Sequence, residues 1–429
     1  MEYLLLICGR LEKRVADKVR NNSIRMNLLR EGRELGLIRQ TEMTRKITID
    51  GYTQSLPVYR VLLSNVYYND QNDRIATWIS QYKAKHGGNA PDKSDIEKYN
   101  DIIEDFIIKS NPDAINKTQK NIELFQQREP GVILRDGRII DGNRRFTCLR
   151  RLSKVHPGGD FDFFETVILD RAIESDAKQI KLLELSIQHG EEGKIEYNPI
   201  DRLVGIYNDI IDTKLLTEED YAKSTDESLG EIKKMVEQAK YMVDFLDYIH
   251  ASGQYYIARD LQLSGPIIEF PAIVKKCSTD EEKQNIKEIL YTNILMQPKG
   301  DMTRYVRNIK NIIGTDYEDV FVTQQKEIAK DVQDKLAEIP EIDTEKIKHV
   351  VRNDQDLTDR LTDSMETALL RIRKQETLNK PAQIVEKANV LLESIDANIF
   401  VKLSSEEKDR VRTQLKALKA QIDGLEARL

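Results

Sequence analysis

The sequence is poor in cysteine, and its few cysteines are scattered. Cys8, Cys148 and Cys277 are odd in number, lie far apart and form no Cys-x-x-Cys pair. A disulfide framework needs a dense, even set of cysteines and a cysteine zinc site needs close pairs, so the sequence excludes both. The pattern is typical of a protein of the reducing cytoplasm.

Long apolar runs and an excess of positive charge are also missing. No stretch approaches the roughly 20 apolar residues of a membrane span, so we expect no membrane partner. The opening MEYLLLIC is apolar but short, and it has neither a basic segment nor a small-residue cleavage site, which argues against a signal peptide. Because the formal net charge is −7, any attraction to nucleic acid must come from a local basic site.

The sequence contains two regions of different pattern. Short β runs alternate with helical spacing from Pro57 to Ala172, and PGVILRDGRIID predicts a hairpin that turns at Asp136-Gly137. After Ala172 only helical spacing remains. We therefore predict the α+β class: a small mixed sheet-helix domain, then an all-helical region and long C-terminal helices.

Positive charge is concentrated in residues 135–152, RDGRIIDGNRRFTCLRRL, which hold six arginines and two aspartates. A helix starting near Asn143 would present unpaired N–H groups and the positive end of its dipole. Arg144 and Arg145 in its first turn oppose that dipole unless an anion lies among them. A phosphate would satisfy the N–H groups and both guanidinium groups. A solvated or salt-bridging helix face explains the same charges, and the pattern leaves both open.

Four segments follow one another in an informative order. They are the turn YNDQNDR (Tyr68 to Arg74), the hairpin and helix start VILRDGRIIDGNRRFTCLRRL, the segment LSIQHGEEGKIEYNPIDRLVGIYNDI (Leu185 to Ile210), and LTEEDYAKSTDESLGEIKKMVEQAKYM (Leu216 to Met242). In the last of these, Ala222 and Ile232 have the spacing of the core positions of a helix-turn-helix. Together the segments resemble the ParB/sulfiredoxin superfamily, in its ParB-like (KorB-like) form with an N-terminal domain followed by a helix-turn-helix.

The resemblance implies a nucleotide-binding DNA clamp of the plasmid or chromosome partition type. Such proteins bind CTP, or another nucleoside triphosphate, with Mg²⁺. They form homodimers on DNA and work with a partner ATPase, which implies a cytoplasmic, nucleoid-associated protein with at most weak CTPase-like activity. The implied nucleotide-binding residues are Gly142, Asn143, Arg144, Arg145, Arg74, Gln71 and Gln188. The implied DNA-binding residues are Ser228, Lys233, Lys234, Gln238 and Lys240.

The third segment departs from the family pattern where the metal and the phosphates are held. Leu185, Ser186 and His189 stand where the family has Glu, Asn and Arg. Glu184 lies one residue before the position of the family's Glu, and it remains as the candidate metal ligand.

Other functions compete with the clamp. The acidic balance also fits an interaction or defence-associated protein that uses the same fold without nucleotide hydrolysis. A ParB-like nuclease would need clustered carboxylates, whereas Asp136 and Asp141 stand before glycines, as turn formers do. Sulfiredoxin chemistry needs a cysteine where Asn143 stands, and Cys148 is expected in the core. Surface or interface charge is expected at Arg135, Arg138, Arg150 and Arg151.

The same reasoning predicts five segments. They are an N-terminal extension (1–56), the ParB/sulfiredoxin-like domain (57–172, with an insertion near 83–118), a helix-turn-helix domain (173–250), a helical domain (251–315) and a charged helical region (316–429). The final helix begins with a capping box from Ser404 to Glu407. Its a/d seam predicts a short coiled coil at 404–429 and hence a dimer contact.

Overall fold

The computed structural model of the protein describes residues 27–49, 51–190 and 198–429. The N-terminal part of the described chain is built on a five-stranded mixed sheet. The strands are β1 (Ile38–Ile49), β2 (Tyr52–Leu62), β3 (Gly131–Leu134), β4 (Ile139–Asp141) and β5 (Phe163–Leu169). Their order is β1-β2-β5-β3-β4, and only the β3–β5 pair is parallel. The α+β class is therefore confirmed.

Helices cover both faces of this sheet. They are α1 (Ala76–Lys85), α2 (Ile96–Ser110), α3 (Pro112–Phe125), α4 (Asn143–Val155) and α5 (Ile173–Gly190). The sequence sets their starts, because Asp95 and Asn111 accept N–H groups of the first turns of α2 and α3. Helices α2, α3 and α4 share one core with the sheet, and α5 packs through Ile180, Leu183 and Ile187 on the opposite face.

The sheet begins earlier in the chain than predicted. The predicted boundary between residues 56 and 57 falls inside β2, which pairs with β1 over most of its length. Strand β1 has a weak sequence signal because only Ile38 and Ile47 in it are buried. Strands β1 and β2 are antiparallel, with Ile49 opposite Tyr52.

Two arginines expected as surface or interface charge are buried instead. Arg150 is 4% exposed and pairs with Glu97, Asp101 and Glu104 of α2. Arg138 is 8% exposed and its Nε donates to the Tyr67 hydroxyl. Packing of α2 on α4 supplies the carboxylates that make a buried Arg150 tolerable. The core position of Cys148 is confirmed, and burial raises the pKa of its thiol to about 12.

The remainder of the described chain is helical. Its helices are α6 (Pro199–Ile206), α7 (Glu218–Thr225), α8 (Leu229–Tyr248), α9 (Tyr255–Asp260), α10 (Ser264–Ile267), α11 (Phe270–Val274), α12 (Asp280–Met296), α13 (Met302–Ile312), α14 (Glu318–Ala337), α15 (Thr344–Ile347), α16 (Gln355–Glu393) and α17 (Ser405–Glu426). One large apolar core runs from Leu185 to Ala368. No helix in the described ranges is both long and apolar enough to pass through a bilayer.

The C-terminal end of this region extends beyond that core. Buried positions of α16 stop at Ala368, and α17 has none. The capping box predicted from Ser404 to Glu407 is present. Its seam residues are Val411, Leu415, Leu418, Ile422, Leu425 and Leu429. Val411 and Leu418 are half-buried and the other four are exposed, so the predicted dimer contact stays a prediction.

Candidate functional site

The start of α4 is shaped by a glycine in a left-handed conformation. Gly142 follows β4 with φ 104° and occupies the N-cap position, where no side chain caps the helix. The first intrahelical bond is from the Phe146 N–H to the Gly142 carbonyl. Residues 143–145 therefore lie at the positive end of the helix dipole.

Two arginines converge on one carboxylate beside this helix start. Asp141 is 7% exposed, and its Oδ2 accepts from Arg45 at 2.9 Å and from Arg145 at 2.8 Å. Arg45 also donates to the Pro130 carbonyl at 2.6 Å. The Arg145 Nε and the Asn143 Oδ1 are buried and have no hydrogen-bond partner among the described residues. The site thus holds polar atoms whose bonding is incomplete within the described chain.

A cleft of about 400 Å³ opens at this point. Its walls come from α1, α2, α3, the start of α4, the end of α5, α6 and α9. The charged residues that line it are Arg74, Lys109, Arg128, Arg144, Arg145 and Arg259, against Glu129, Asp141 and Asp201. Six cations against three carboxylates make the cleft locally positive in an acidic protein, which favours an anionic ligand.

Apolar and amide side chains also line the cleft, together with a stacked Arg259 and Trp78. The Arg259 guanidinium lies 4.0 Å from the centre of the Trp78 ring, and its Nη1 donates to the Thr77 hydroxyl at 3.1 Å. Apolar and amide side chains here are Ile75, Ile107, Ile122, Asn111, Asn121, Gln126, Gln127 and Asn198. Such a wall suits a flat, polar-edged group attached to the anion.

Six of the seven residues implied for nucleotide binding line this one cleft: Arg74, Gly142, Asn143, Arg144, Arg145 and Gln188. Gln71 does not. It is exposed, and only its N–H bonds locally, to the Asn69 Oδ1. Asn72 faces the cleft instead, and its side chain accepts the Arg74 N–H. The turn of Tyr68 to Arg74 directs Gln71 away.

Several lining residues carry no sequence signal. Arg128 stands in the loop after α3 and Arg259 on α9, far from the arginine-rich stretch. Asn198 and Asp201 were detectable in part, because the third segment contains the Asn-Pro-Ile sequence and the acidic residue after it.

Glu184 lies in a buried network behind the cleft. It is 2% exposed, and its carboxylate accepts from Gln188 at 3.1 Å and lies 3.5 Å from the Asn69 amide. Lys181, one turn earlier, pairs with Asp73 at 2.7 Å and with Asp209 at 3.3 Å. Burial raises the pKa of Glu184 and of Asp209, so this network holds its negative charge at a cost.

The donor set fits a magnesium ion poorly. No group of three or more His, Cys, Asp or Glu side chains in the described ranges is arranged to hold a metal. Leu185 is buried and Ser186 donates to the Leu183 carbonyl, and neither lines the cleft. The side chain of His189 lies outside the described residues.

Two helices joined by a short turn, α7 and α8, occupy the segment for which the helix-turn-helix is predicted. Ala222 and Ile232 are buried as expected, and Asp226 takes the left-handed turn position with φ 55°. The exposed cations implied for DNA are Lys233, Lys234 and Lys240, whereas Gln238 is half-buried. The Ser228 hydroxyl is used in a capping box with Glu231, and Arg202 pairs with Glu227 beside the turn.

Replacing Gly142 with alanine is expected to destabilise the protein by about 1–3 kcal/mol. A Cβ at this position would lie 2.8 Å from the Phe164 Cζ, and the φ of 104° is one that alanine rarely adopts. Urea unfolding followed by the fluorescence of Trp78, the one tryptophan in the sequence, measures the change. Gly159→Ala is the matched control, because its φ is −121° and its nearest atom lies at 3.9 Å. Equal losses in both variants would contradict the steric account.

Asp201 makes stability depend on pH. Burial raises its pKa to about 6, against about 3.9 in an unfolded chain. The folded state therefore binds an extra proton between these values, and the stability this provides is lost as pH rises from about 4 to 6. Asp201→Asn keeps an acceptor for the Thr77 N–H and never ionises. We expect the free energy of unfolding of the variant to exceed that of the parent by about 1–3 kcal/mol at pH 7.5 and to match it near pH 4. A difference in urea unfolding that does not change with pH would contradict this expectation.

No protein-family model matches the chain, and the comparison with curated proteins finds no match.

Proposed function

We propose that the protein is a ParB-like DNA-binding regulator whose cleft at the start of α4 binds a nucleoside triphosphate of the CTP type. The observation that carries the proposal is the convergence of six residues from three separate sequence segments on one positive cleft. The proposed role is a dimeric clamp controlled by the nucleotide.

The phosphate end of the ligand is placed at α4. The dipole of a 13-residue helix and the side chains of Arg144 and Arg145 act on the same volume. Gly142 lets the backbone approach a phosphate closely, since a side chain there would also meet Arg145 at 3.3 Å. These groups favour phosphate over a carboxylate, because a tetrahedral polyanion can accept several bonds at once.

The nucleoside end is placed toward Trp78 and the α2–α3 wall. The Asn121 side chain in this wall carries both a donor and an acceptor, which a base edge requires. The cleft volume is of the size that small-molecule ligands fill.

Binding of CTP, ATP and GTP tests the proposal, each by calorimetry and by Trp78 fluorescence, with and without duplex DNA. We expect saturable binding of at least one nucleotide and a change in its affinity when DNA is added, because linkage between two ligands is reciprocal. Failure of all three nucleotides to bind would refute the nucleotide function.

DNA contact is proposed for the exposed face of α8. Lys233→Gln combined with Lys234→Gln should lower the slope of log K against log salt by about 2, since each lysine that contacts a phosphate contributes about one unit. Fluorescence anisotropy with a labelled duplex measures that slope. The double variant Lys416→Gln, Lys419→Gln on the exposed α17 is the control and should leave it unchanged. An unaltered slope in the α8 variant would remove α8 from the DNA interface.

The exposed seam of α17 supports the proposal of a homodimer. Leu415, Ile422 and Leu425 lie on one side of a 22-residue helix that buries nothing within its own chain. A second copy would cover this seam in the manner of a short coiled coil. Sedimentation of the full chain measures the association directly.

A further inference from the structure

The carboxylates near the cleft are already neutralised by cations of the protein itself. Asp141 Oδ2 accepts from Arg45 and Arg145 together, so the carboxylate closest to the helix start is satisfied by two guanidinium groups. A metal ion would have to displace an arginine from a carboxylate that is 7% exposed. Breaking a buried pair costs several kcal/mol, about 3–5, which opposes such a displacement.

Behind the cleft, an ammonium group occupies the centre of the acidic cluster. Lys181 is 6% exposed and its Nζ lies 2.7 Å from Asp73 and 3.3 Å from Asp209. Burial by itself would lower the pKa of Lys181, but Asp73, Glu184 and Asp209 together hold that pKa above its ordinary value, so the amine stays charged. The carboxylates of Asp73, Glu184 and Asp209 therefore lie around a charged amine. None of these three residues lines the cleft.

The two other lining carboxylates add little to a metal site. Asp201 Oδ1 accepts the Thr77 N–H at 2.8 Å and the residue is 2% exposed. Glu129 is an exposed residue of the loop between α3 and β3. Mg²⁺ demands near-octahedral oxygen ligands and usually takes one or two carboxylates together with the phosphates. Neither carboxylate belongs to a group of three or more His, Cys, Asp or Glu side chains that could hold a metal in the described ranges.

We infer that the cleft binds its polyphosphate ligand as the metal-free anion, with arginine side chains compensating the charge that Mg²⁺ compensates elsewhere. The inference rests on the proposed nucleotide function and concerns the form of the ligand. A bound Mg²⁺ removes two units of negative charge from a triphosphate, which weakens its attraction to the six lining cations. Arginine forks match phosphate geometry and stay charged at every physiological pH.

The test is a titration of CTP, ATP and inorganic triphosphate in EDTA and in excess Mg²⁺, at matched ionic strength, read by Trp78 fluorescence and calorimetry. We expect the dissociation constant in EDTA to equal that in Mg²⁺ within about threefold, or to be lower. An increase of about tenfold or more in EDTA would overturn the inference and leave the nucleotide function standing. Absence of binding in both conditions would overturn both.

A variant with less positive charge in the cleft tests whether arginine side chains compensate the phosphate charge or whether binding is merely insensitive to EDTA. Arg74→Gln lowers the positive charge of the cleft, so Mg²⁺ should then recover part of the lost affinity. Arg151→Gln, on α4 but outside the cleft lining, is the matched control and should respond to Mg²⁺ as the parent does. If Mg²⁺ leaves the affinity of Arg74→Gln unchanged, arginine does not take the place of the metal.

Discussion

Replacing Lys181 with methionine is expected to lower the free energy of unfolding by about 3–5 kcal/mol. Methionine fills a similar volume but leaves Asp73 and Asp209 buried without their cation. Because burial already raises the pKa of Asp209 and Glu184, the variant should lose most stability at alkaline pH, where these groups must ionise. Urea unfolding at pH 5.5 and 8, followed by Trp78 fluorescence, measures both effects.

A neighbouring lysine on the same helix provides the control. Lys178 pairs with Asp220 at 2.6 Å, but its side chain is 44% exposed, so Lys178→Met should cost less than about 1 kcal/mol. Adding Asp209→Asn to Lys181→Met should restore part of the loss by removing one unpaired charge. A loss below about 1 kcal/mol for Lys181→Met would show that the buried charges do not depend on this amine.

Arg145→Ala is expected to weaken nucleotide binding by about 10- to 100-fold, because one charge-assisted contact with phosphate contributes about 1.5–3 kcal/mol. The fold should survive the change. Asp141 keeps its bond to Arg45 at 2.9 Å, so the carboxylate retains a cation. Calorimetry with CTP measures the affinity, and urea unfolding checks the stability.

Arg151→Ala is the matched control for Arg145→Ala. It removes an arginine from the same helix outside the cleft lining, so affinity should change by less than about threefold. Loss of affinity in both variants would point to net charge rather than to a contact at the start of α4. Unchanged affinity in Arg145→Ala would remove this residue from the phosphate site.

Where local pattern and burial coincided, the sequence predicted the secondary structure. The hairpin at Asp136-Gly137, the start of α4 and the helices after residue 172 are present as expected. The length of strand β1 was underestimated, because its residues are mostly polar and exposed and the strand lies at the edge of the sheet. Period-two alternation arises from one buried face, so an edge strand with two buried residues shows little of it.

Charge patterns were harder to interpret than apolar ones. Arg144, Arg145 and Arg150 belong to one basic stretch, and the sequence predicted a phosphate site for the first two and surface or interface charge for Arg150. In the structure the first two line the cleft, and Arg150 is buried among three carboxylates of α2. About one and a half turns of helix separate Arg145 from Arg150, and the packing of α2 against α4 is what buries Arg150.

By itself the sequence determined the glycine turn, the helix that follows it and the placement of two arginines in the first turn. These are local properties, set by backbone conformation and hydrogen bonding over a few residues. Tertiary structure alone decided that Arg45 neutralises Asp141, that Lys181 pairs with the buried acidic residues and that Arg259 lines the cleft. Charge pairing acts through space between distant segments, and its strength depends on burial, which no local pattern encodes.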